Sequence, residues 1–212
     1  MVQLTARIRS ALQAPLPGLE AQLRLAPRPR VGWDPYQVPD GLRDAAALVL
    51  LYPVDDEPHV LLTVRGALRH HTGQVSFPGG AVDAGETLEH AAVREAVEEV
   101  GVVASDIQVL GRLTSLHIPV SGFLLHPVVA AADVRPRFMA APEEVARLLE
   151  VPLALLEDED TIRYERRTFE RQNRLVDVEV PFFDVHGEKV WGATAMVLAE
   201  FLALIAREHS LP

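Results

Sequence analysis

Glu95, Glu98 and Glu99 place three carboxylates within five consecutive residues, directly after Arg94. At 100° per residue, a helix gathers all three into an arc of about 100°. Like charges at this spacing repel by a few tenths of a kcal/mol per pair, and a solvated acidic face would normally interleave Lys or Arg. Here residues 83–99 carry six acids against the single base Arg94, a segment charge of −5. A hard divalent cation removes such repulsion because it prefers oxygen ligands. The plainer alternative is an exposed acidic turn. Upstream, Arg65, Arg69, His70 and His71 set two permanent and two titratable cations in a stretch that ends at Gly73. Guanidinium groups match phosphate oxygens bidentately, so this stretch suits an anion beside the carboxylates. The plainer alternatives are a solvated basic loop, or an ion pair between Arg69 and those carboxylates.

The carboxylates need a helix to share a face. Thr87 is placed to cap its N-terminus and Gly101 to end it just after Val100. Val93, Ala96, Val97 and Val100 fall on the opposite side, which predicts the stripe that meets a core. Pro78-Gly79-Gly80 predicts a turn ahead of the acidic loop. The continuous apolar run at 45–52 predicts a strand buried on both faces. A turn at 53–58 and a strand at 59–64 follow, giving an antiparallel pair at the core of a mixed sheet. Residues 74–77 read as a short strand, and 107–116 and 122–131 as two more. Residues 142–149 read as a helix with Glu143 and Glu144 in its first turn, and 151–157 as a short helix or 3₁₀ turn. Residues 161–168 and 178–183 read as strands joined by a polar loop, and 193–208 as a mostly buried C-terminal helix. At the start of the chain, Leu4, Ile8 and Leu12 predict a helix over 1–13. Residues 14–41 hold six prolines and predict an irregular arm. Its Arg24, Arg28 and Arg30 read as solvated charges, with contact to a substrate the lesser option.

The 212 residues suit one domain with additions, and 49% hydrophobic against 24% charged content indicates a globular chain with a sizeable core. The absence of cysteine excludes disulfide scaffolds, zinc–thiolate sites and cysteine nucleophiles. A net charge of −10 argues against a general nucleic-acid binder, so an anionic substrate must meet a local basic patch or bound metal. No signal peptide is visible in MVQLTARIRSAL. The apolar stretch 193–206 is interrupted by Glu200 and too short to span a bilayer. The expectation is a cytoplasmic protein with no membrane partner.

Gly80, Glu86, Arg94, Glu95, Glu98, Glu99, Gly101 and Val102 stand at the spacing G-x5-E-x7-R-E-U-x-E-E-x-G-U, with U a bulky aliphatic. This resembles the Nudix box. Ala96 at the first U position is smaller than the pattern asks, a matter of local packing. A second stretch, LLTVRGALRHHTGQVSFPGG over residues 61–80, resembles a signature of the coenzyme A diphosphatase branch of that superfamily. Leu61, Leu62, Thr63, Arg65, Arg69, Gly73 and residues 77–80 match it. The spacer between Arg65 and Arg69 is one residue shorter, with Gly66 nearest to the branch's small residue. Glu144-Val145 with Val151-Pro152-Leu153, and Trp191-Gly192-Ala193-Thr194-Ala195, resemble two later elements of the same branch. The resemblance spans about residues 44–206, the majority of the chain.

The resemblance implies a Nudix fold, an α+β or α-β-α sandwich with a mixed β-sheet between helices. Residues 1–40 would form an N-terminal helix and proline-rich arm, and 41–212 the hydrolase domain. It implies a diphosphatase that uses Mg²⁺ or Mn²⁺, with Glu95, Glu98, Glu99 and the Gly79 carbonyl as metal ligands. Glu95, then Glu98, would act on the attacking water. Arg65 and Arg69 would contact substrate, while Glu86 and Arg94 would pair and support the site. Glu143 or Glu144 could add a ligand or base. The implied reaction is hydrolysis of coenzyme A, or a derivative, to 3′,5′-ADP and 4′-phosphopantetheine. Another nucleoside diphosphate derivative (ADP-ribose, a dinucleotide or a nucleoside triphosphate) is the nearest alternative. A non-catalytic diphosphate-binding module is an alternative of another class, disfavoured by the intact carboxylates. An isopentenyl diphosphate isomerase on the same fold would need a cysteine. The partner expected is a small diphosphate molecule, with a homodimer as one option.

Overall fold

The computed structural model describes residues 1–30, 32–66, 73–119, 121–171 and 174–209. In chain order its elements are α1 (Val2–Gln13), α2 (Gly18–Gln22), β1 (Arg43–Val54), β2 (Glu57–Arg65), β3 (Val75–Ser76), β4 (Gly79–Ala81), α3 (Leu88–Val100), β5 (Gln108–Arg112), β6 (Leu116–Ile118), β7 (Phe123–Ala131), β8 (Val145–Pro152), α4 (Leu153–Glu157), β9 (Ile162–Arg171), β10 (Arg174–Val185), β11 (Glu188–Trp191) and α5 (Gly192–His209). Among these, no helix is long and apolar enough to cross a membrane.

β1 is apolar on both faces because both are covered. Ala46, Leu48, Leu50 and Tyr52 point towards α3. Ala47, Val49 and Leu51 point the other way, into the larger core with α1 and α5. Leu48 and Leu50 are fully buried, and burying one leucine stabilises by roughly 1.5–3 kcal/mol. The fold is an α-β-α sandwich around a mixed sheet. β1 runs parallel to β7, but antiparallel to β2 only over Leu51 to Val54. Beyond that the two strands fork, and residues 75–81 fill the gap. β3 pairs with β2 at Thr63 and Val64, the Pro78 carbonyl accepts from the Leu48 N–H at 2.8 Å, and β4 pairs with Ala45 to Ala47 of β1. β8 covers the outer edge of β2, and β5 and β6 pair with β7. β11, β10 and β9 form a separate antiparallel sheet.

Several local expectations are corrected. Residues 145–152 form a strand, not a helix, and Glu143 and Glu144 sit in the turn before it. The edge of β2 from His59 to Arg65 offers a ladder of backbone partners, and Val145, Leu149 and Val151 fill the core from that ladder. Tertiary pairing here overrides helix propensity. The turn expected at 53–58 shrinks to Asp55-Asp56, both with positive φ (49° and 67°), the geometry of a tight hairpin turn. Strand pairing extends through Val54↔Glu57. The polar loop expected between 168 and 178 is largely strand: β9 and β10 pair from Ile162 to Arg171. The strand expected over 107–116 breaks between Arg112 and Leu116 into β5 and β6. β4 and β11 were not anticipated.

The arm is also more ordered than its prolines suggest. α2 and a 3₁₀ turn at Leu23–Leu25 interrupt it. The reason lies in α5. Glu200 is fully buried, and its carboxylate accepts from Gly18 N–H (3.1 Å), Gln22 Nε2 (2.7 Å), Thr114 Oγ1 (2.7 Å) and Thr114 N–H (3.2 Å). Gln22 also donates to the Thr114 carbonyl at 2.7 Å. One buried charge thus fastens α2 to α5 and to the β5–β6 connection. Glu200→Ala would strand these donors away from water, each at about 1–3 kcal/mol. The expected outcome is a loss of roughly 3 kcal/mol or more, read as a melting temperature lower by about 6–12 °C for a chain of this size. Glu200→Gln, which keeps one acceptor, falls between. A Tm within about 2 °C of wild type for Glu200→Ala would show that the network contributes little.

Candidate active site

The acidic helix α3 is set by its ends and its narrow buried face. Thr87 Oγ1 accepts from His90 N–H at 3.2 Å, and Gly101 closes the helix in the left-handed region at φ 69°. A Cβ at Gly101 would lie 2.8 Å from Met139, so both conformation and space require glycine. The buried face comprises Ala91, Ala92, Ala96 and Val100, with Glu99 at its margin. Ala96 and its small neighbours let the helix lie close on Ala46 and Leu48. Val97, expected in the core stripe, is 38% exposed instead, and Val93 is only partly buried.

Arg94 organises the acidic side chains. Its Nε donates to Glu86 Oε1 (3.0 Å) and Nη2 to Glu86 Oε2 (3.1 Å), a bidentate pair. Nη2 also reaches the Ala81 carbonyl (3.0 Å), and Nη1 reaches Glu95 Oε1 (2.9 Å) and Glu98 Oε2 (3.3 Å). The Arg94 hydrogen bond holds the Glu86 carboxyl below its ordinary range.

The carboxylates next to Arg94 sit in unlike environments. The Glu98 side chain is 59% exposed and that of Glu95 14%, while Glu99 as a residue is 6% exposed. Burial pushes the Glu99 carboxyl up to about 7, against the lowering effect of the Gly79 N–H that donates to Oε2 at 3.2 Å. The charges of Glu95 and Glu144 raise it further, and that of Arg65 lowers it. Burial also raises the Glu95 carboxyl, opposed by Arg94. Gly79 and Gly80 are close-approach glycines. A Cβ at Gly79 would fall 2.3 Å from the Ala46 carbonyl oxygen, and one at Gly80 2.4 Å from the Glu95 carboxylate.

Arg65 ends β2 and faces this cluster electrostatically; its buried Nε has no hydrogen-bond partner among the described residues. Gly66 follows, its N–H donating to the Glu144 carbonyl at 2.8 Å, and a Cβ there would come within 3.3 Å of the Glu143 carbonyl oxygen. That contact brings the turn before β8, and with it Glu144, to the carboxylates. Sequence reading put these two glutamates on a helix and so missed how they arrive. The usable signal was the small residue at 66 next to Arg65. Arg69, His70 and His71 lie outside the described residues.

The donor set suits a hard divalent cation: carboxylate oxygens, one of them buried at Glu99 and costly to leave charged without a partner. Among the described residues, no three His, Asp or Glu side chains are already gathered into a cation cage. Instead Glu95 and Glu98 turn an oxygen to Arg94 and Glu99 turns to Gly79.

The chain as a whole is similar to known proteins. The sequence model of the NUDIX domain matches residues 42–172. A protein of Pectobacterium atrosepticum described as an uncharacterized Nudix hydrolase, NudL, is 39% identical over 168 residues, covering 77% of this chain and 83% of that protein. One of the same description from Photorhabdus laumondii is 34% identical over 179 residues, covering 84% and 89%. Among solved structures, a MutT/nudix family protein from Enterococcus faecalis matches with a TM-score of 0.53 at 18% identity, covering 80% of this chain and 65% of that one. The MutT protein from Methanosarcina mazei Go1 matches at 0.50 with 16% identity, covering 82% and 100%. At these identities the two structures speak to the fold alone.

Two outcomes follow from the geometry. A carboxyl raised in the folded state to about 7 from an ordinary 4.5 holds its proton more tightly folded than unfolded. Its contribution is therefore fully present below about pH 4.5 and is lost as pH rises through about 7. In chelator, stability should fall across that window by about 3 kcal/mol, read as a melting temperature lower by about 6–12 °C, and Glu99→Gln should flatten the fall. Equal pH slopes in the two proteins would refute this. Separately, Gly80→Ala must displace the Glu95 carboxylate. Turnover should drop by about 10²-fold with the fold retained by circular dichroism; unchanged turnover would mean that the position of Glu95 is immaterial.

Proposed function

This chain belongs to the NUDIX family of hydrolases that act on nucleoside diphosphate derivatives, and from that premise we propose coenzyme A, or a derivative of it, as the substrate. Water attacks one phosphorus of the diphosphate, the bridging P–O bond breaks, and 3′,5′-ADP and 4′-phosphopantetheine leave. Glu95, Glu98, Glu99 and the Gly79 carbonyl are the proposed holders of Mg²⁺ or Mn²⁺. When bound, such an ion neutralises phosphoryl charge and acidifies water. Glu95 is the proposed acceptor of the water proton, with a carboxyl already raised by burial, and Glu98 is the second choice. Glu86 and Arg94 hold the loop against the helix and fix the ligand face from behind. The proposed catalytic domain is residues 41–212, with 1–40 as its arm.

The observation that carries the coenzyme A reading is Arg65. It stands at the head of the signature loop beside Glu99, with a buried guanidinium nitrogen that lacks a partner among the described residues. A buried donor without a partner costs about 1–3 kcal/mol, and a phosphate oxygen supplies the missing acceptor. Coenzyme A carries a 3′-phosphate besides its diphosphate, so Arg65 and Arg69 together have one more anion to meet than on other substrates.

Comparing coenzyme A with dephospho-coenzyme A isolates that phosphate. A charge-assisted hydrogen bond contributes about 1.5–3 kcal/mol, so kcat/KM should favour coenzyme A by roughly 10- to 150-fold. Arg65→Ala or Arg69→Ala should shrink the ratio, and equal losses on both substrates would assign the arginine to the scissile diphosphate. If both variants keep the full preference, the loop does not read the 3′-phosphate, and coenzyme A drops below ADP-ribose or dinucleotides as the substrate.

A further inference from the structure

The proline-rich arm and the second sheet enclose a groove that the diphosphate site does not use. The arm meets β10 through a two-way main-chain bridge: Arg28 N–H donates to the Glu179 carbonyl (2.9 Å) and Glu179 N–H to the Arg28 carbonyl (2.7 Å). Two cavities adjoin there, both lined by Arg28 and Glu179. One, of about 210 Å³, is lined by Arg24, Arg28, Tyr164 and Glu179 with Ala26 and Pro181. The other, of about 430 Å³, is lined by Arg28, Arg166, Asp177 and Glu179 with Pro29 and Val178. The strand register explains why these groups share a face. Tyr164 stands opposite Pro181, Arg166 opposite Glu179 and Thr168 opposite Asp177, and alternate residues of a strand point the same way.

The polar inventory is unusual for so acidic a chain. Three guanidiniums, Arg24, Arg28 and Arg166, meet two carboxylates, and among the described residues none of the three is in an ion pair. The Arg28 guanidinium has only a long contact to the Leu23 carbonyl, at 3.5 Å. Asp177 gives one oxygen to Thr168 Oγ1 at 2.7 Å and keeps the other. Tyr164 is 63% exposed at the lip, far more than a structural aromatic needs.

We propose that this groove is a nucleotide-binding site, separate from the acidic helix. A nucleotide carries the three chemistries that the groove presents. The phosphate meets the arginines, whose forks match its oxygens. The ribose hydroxyls donate to Asp177 and Glu179. The base lies on the exposed ring of Tyr164, with Arg24 beside it. Inorganic phosphate alone would leave the carboxylates facing an anion, and a nucleoside alone would leave the arginines unpaired; the mixed charge selects the combination. The larger cavity, of about 430 Å³, is an open groove, so a ligand there would be held by its polar contacts and not by enclosure. The site is built half from the arm and half from the hydrolase fold, so occupancy would fasten the two. This inference does not depend on coenzyme A being the substrate.

The test is isothermal titration of the full chain with AMP in excess EDTA, alongside adenosine and inorganic phosphate. Saturable AMP binding is expected, at least about tenfold tighter than that of either fragment. Arg166→Ala should weaken AMP at least about tenfold, the loss of one charge-assisted contact, and Tyr164→Ala should weaken it severalfold. Arg166 lies on β9 and among the described residues makes no backbone hydrogen bond to the arm, so its variant stays informative even if Arg28→Ala releases the arm. Glu98→Gln, in the acidic helix, should leave AMP binding unchanged. The proposal is overturned if AMP does not bind, if phosphate binds as tightly as AMP, if Arg166→Ala has no effect, or if Glu98→Gln abolishes the signal in place of Arg166→Ala.

Discussion

One guanidinium holds the acidic half of the molecule together. Arg94 donates to Glu86, Glu95, Glu98 and the Ala81 carbonyl at once, and a lysine could not, because its compact ammonium lacks the planar fork. Those bonds tie the helix to the loop before it and to β4. They also set the Glu95 carboxylate directly over Gly80, where a side chain would displace it. Gly79 in turn lies against the Ala46 carbonyl, so the constraint passes from a charged side chain to the central strand in two steps. The carboxylates are spread by this arrangement over a gradient of burial, from the exposed Glu98 to the enclosed Glu99. Groups of one chemical type thereby acquire different proton affinities: Arg94 holds the Glu86 carboxyl down, while burial raises those of Glu95 and Glu99.

The sequence was most legible where local chemistry and tertiary demand agree. Thr87 and Gly101 bound α3 because capping is a property of neighbouring backbone groups. The apolar run at 45–52 became a doubly covered strand because nothing but burial suits it. Legibility failed where distant segments decide. Residues 142–149 carry helix-forming residues but lie along a vacant strand edge, and the ladder won. The arm at 14–41 looked irregular because the carboxylate that orders it, Glu200, lies in a helix far along the chain. A charged residue inside an otherwise apolar helix was visible all along. Its partners were not, since no spacing rule links Gly18, Gln22 and Thr114 to it.

At the site, the box residues and their spacing identified the family, and the structure adds how they are carried. Gly79, Gly80 and Gly66 lack side chains where other atoms come close: Gly79 against the Ala46 carbonyl, Gly80 under the Glu95 carboxylate and Gly66 beside the Glu143 carbonyl. Small residues give no periodic signal, so their role emerges only once the strands they separate are seen side by side. The second sheet is a similar case. Its hairpin was read as two short strands and a loop, because the alternation of Val176, Val178 and Val180 is interleaved with acids that face the other way.

The fork between β1 and β2 has a consequence for how such a protein can change. The register of β1 against β7 and of β2 against β8 is fixed by cores on both faces, and a slip of one residue would turn every side chain inside out. The connection from β2 to β3 is held at both ends: Gly66 N–H donates to the Glu144 carbonyl, Arg65 N–H to the Gln74 carbonyl and Gly73 N–H to the Arg65 carbonyl. Between those ends, adding or removing a residue costs only a fraction of a kcal/mol in chain entropy. The spacing from Arg65 to Arg69, one residue shorter than in the signature it resembles, is a difference of this kind. Chain length can therefore drift at this point while both strand registers stay fixed, and such a change need not first make the fold less stable.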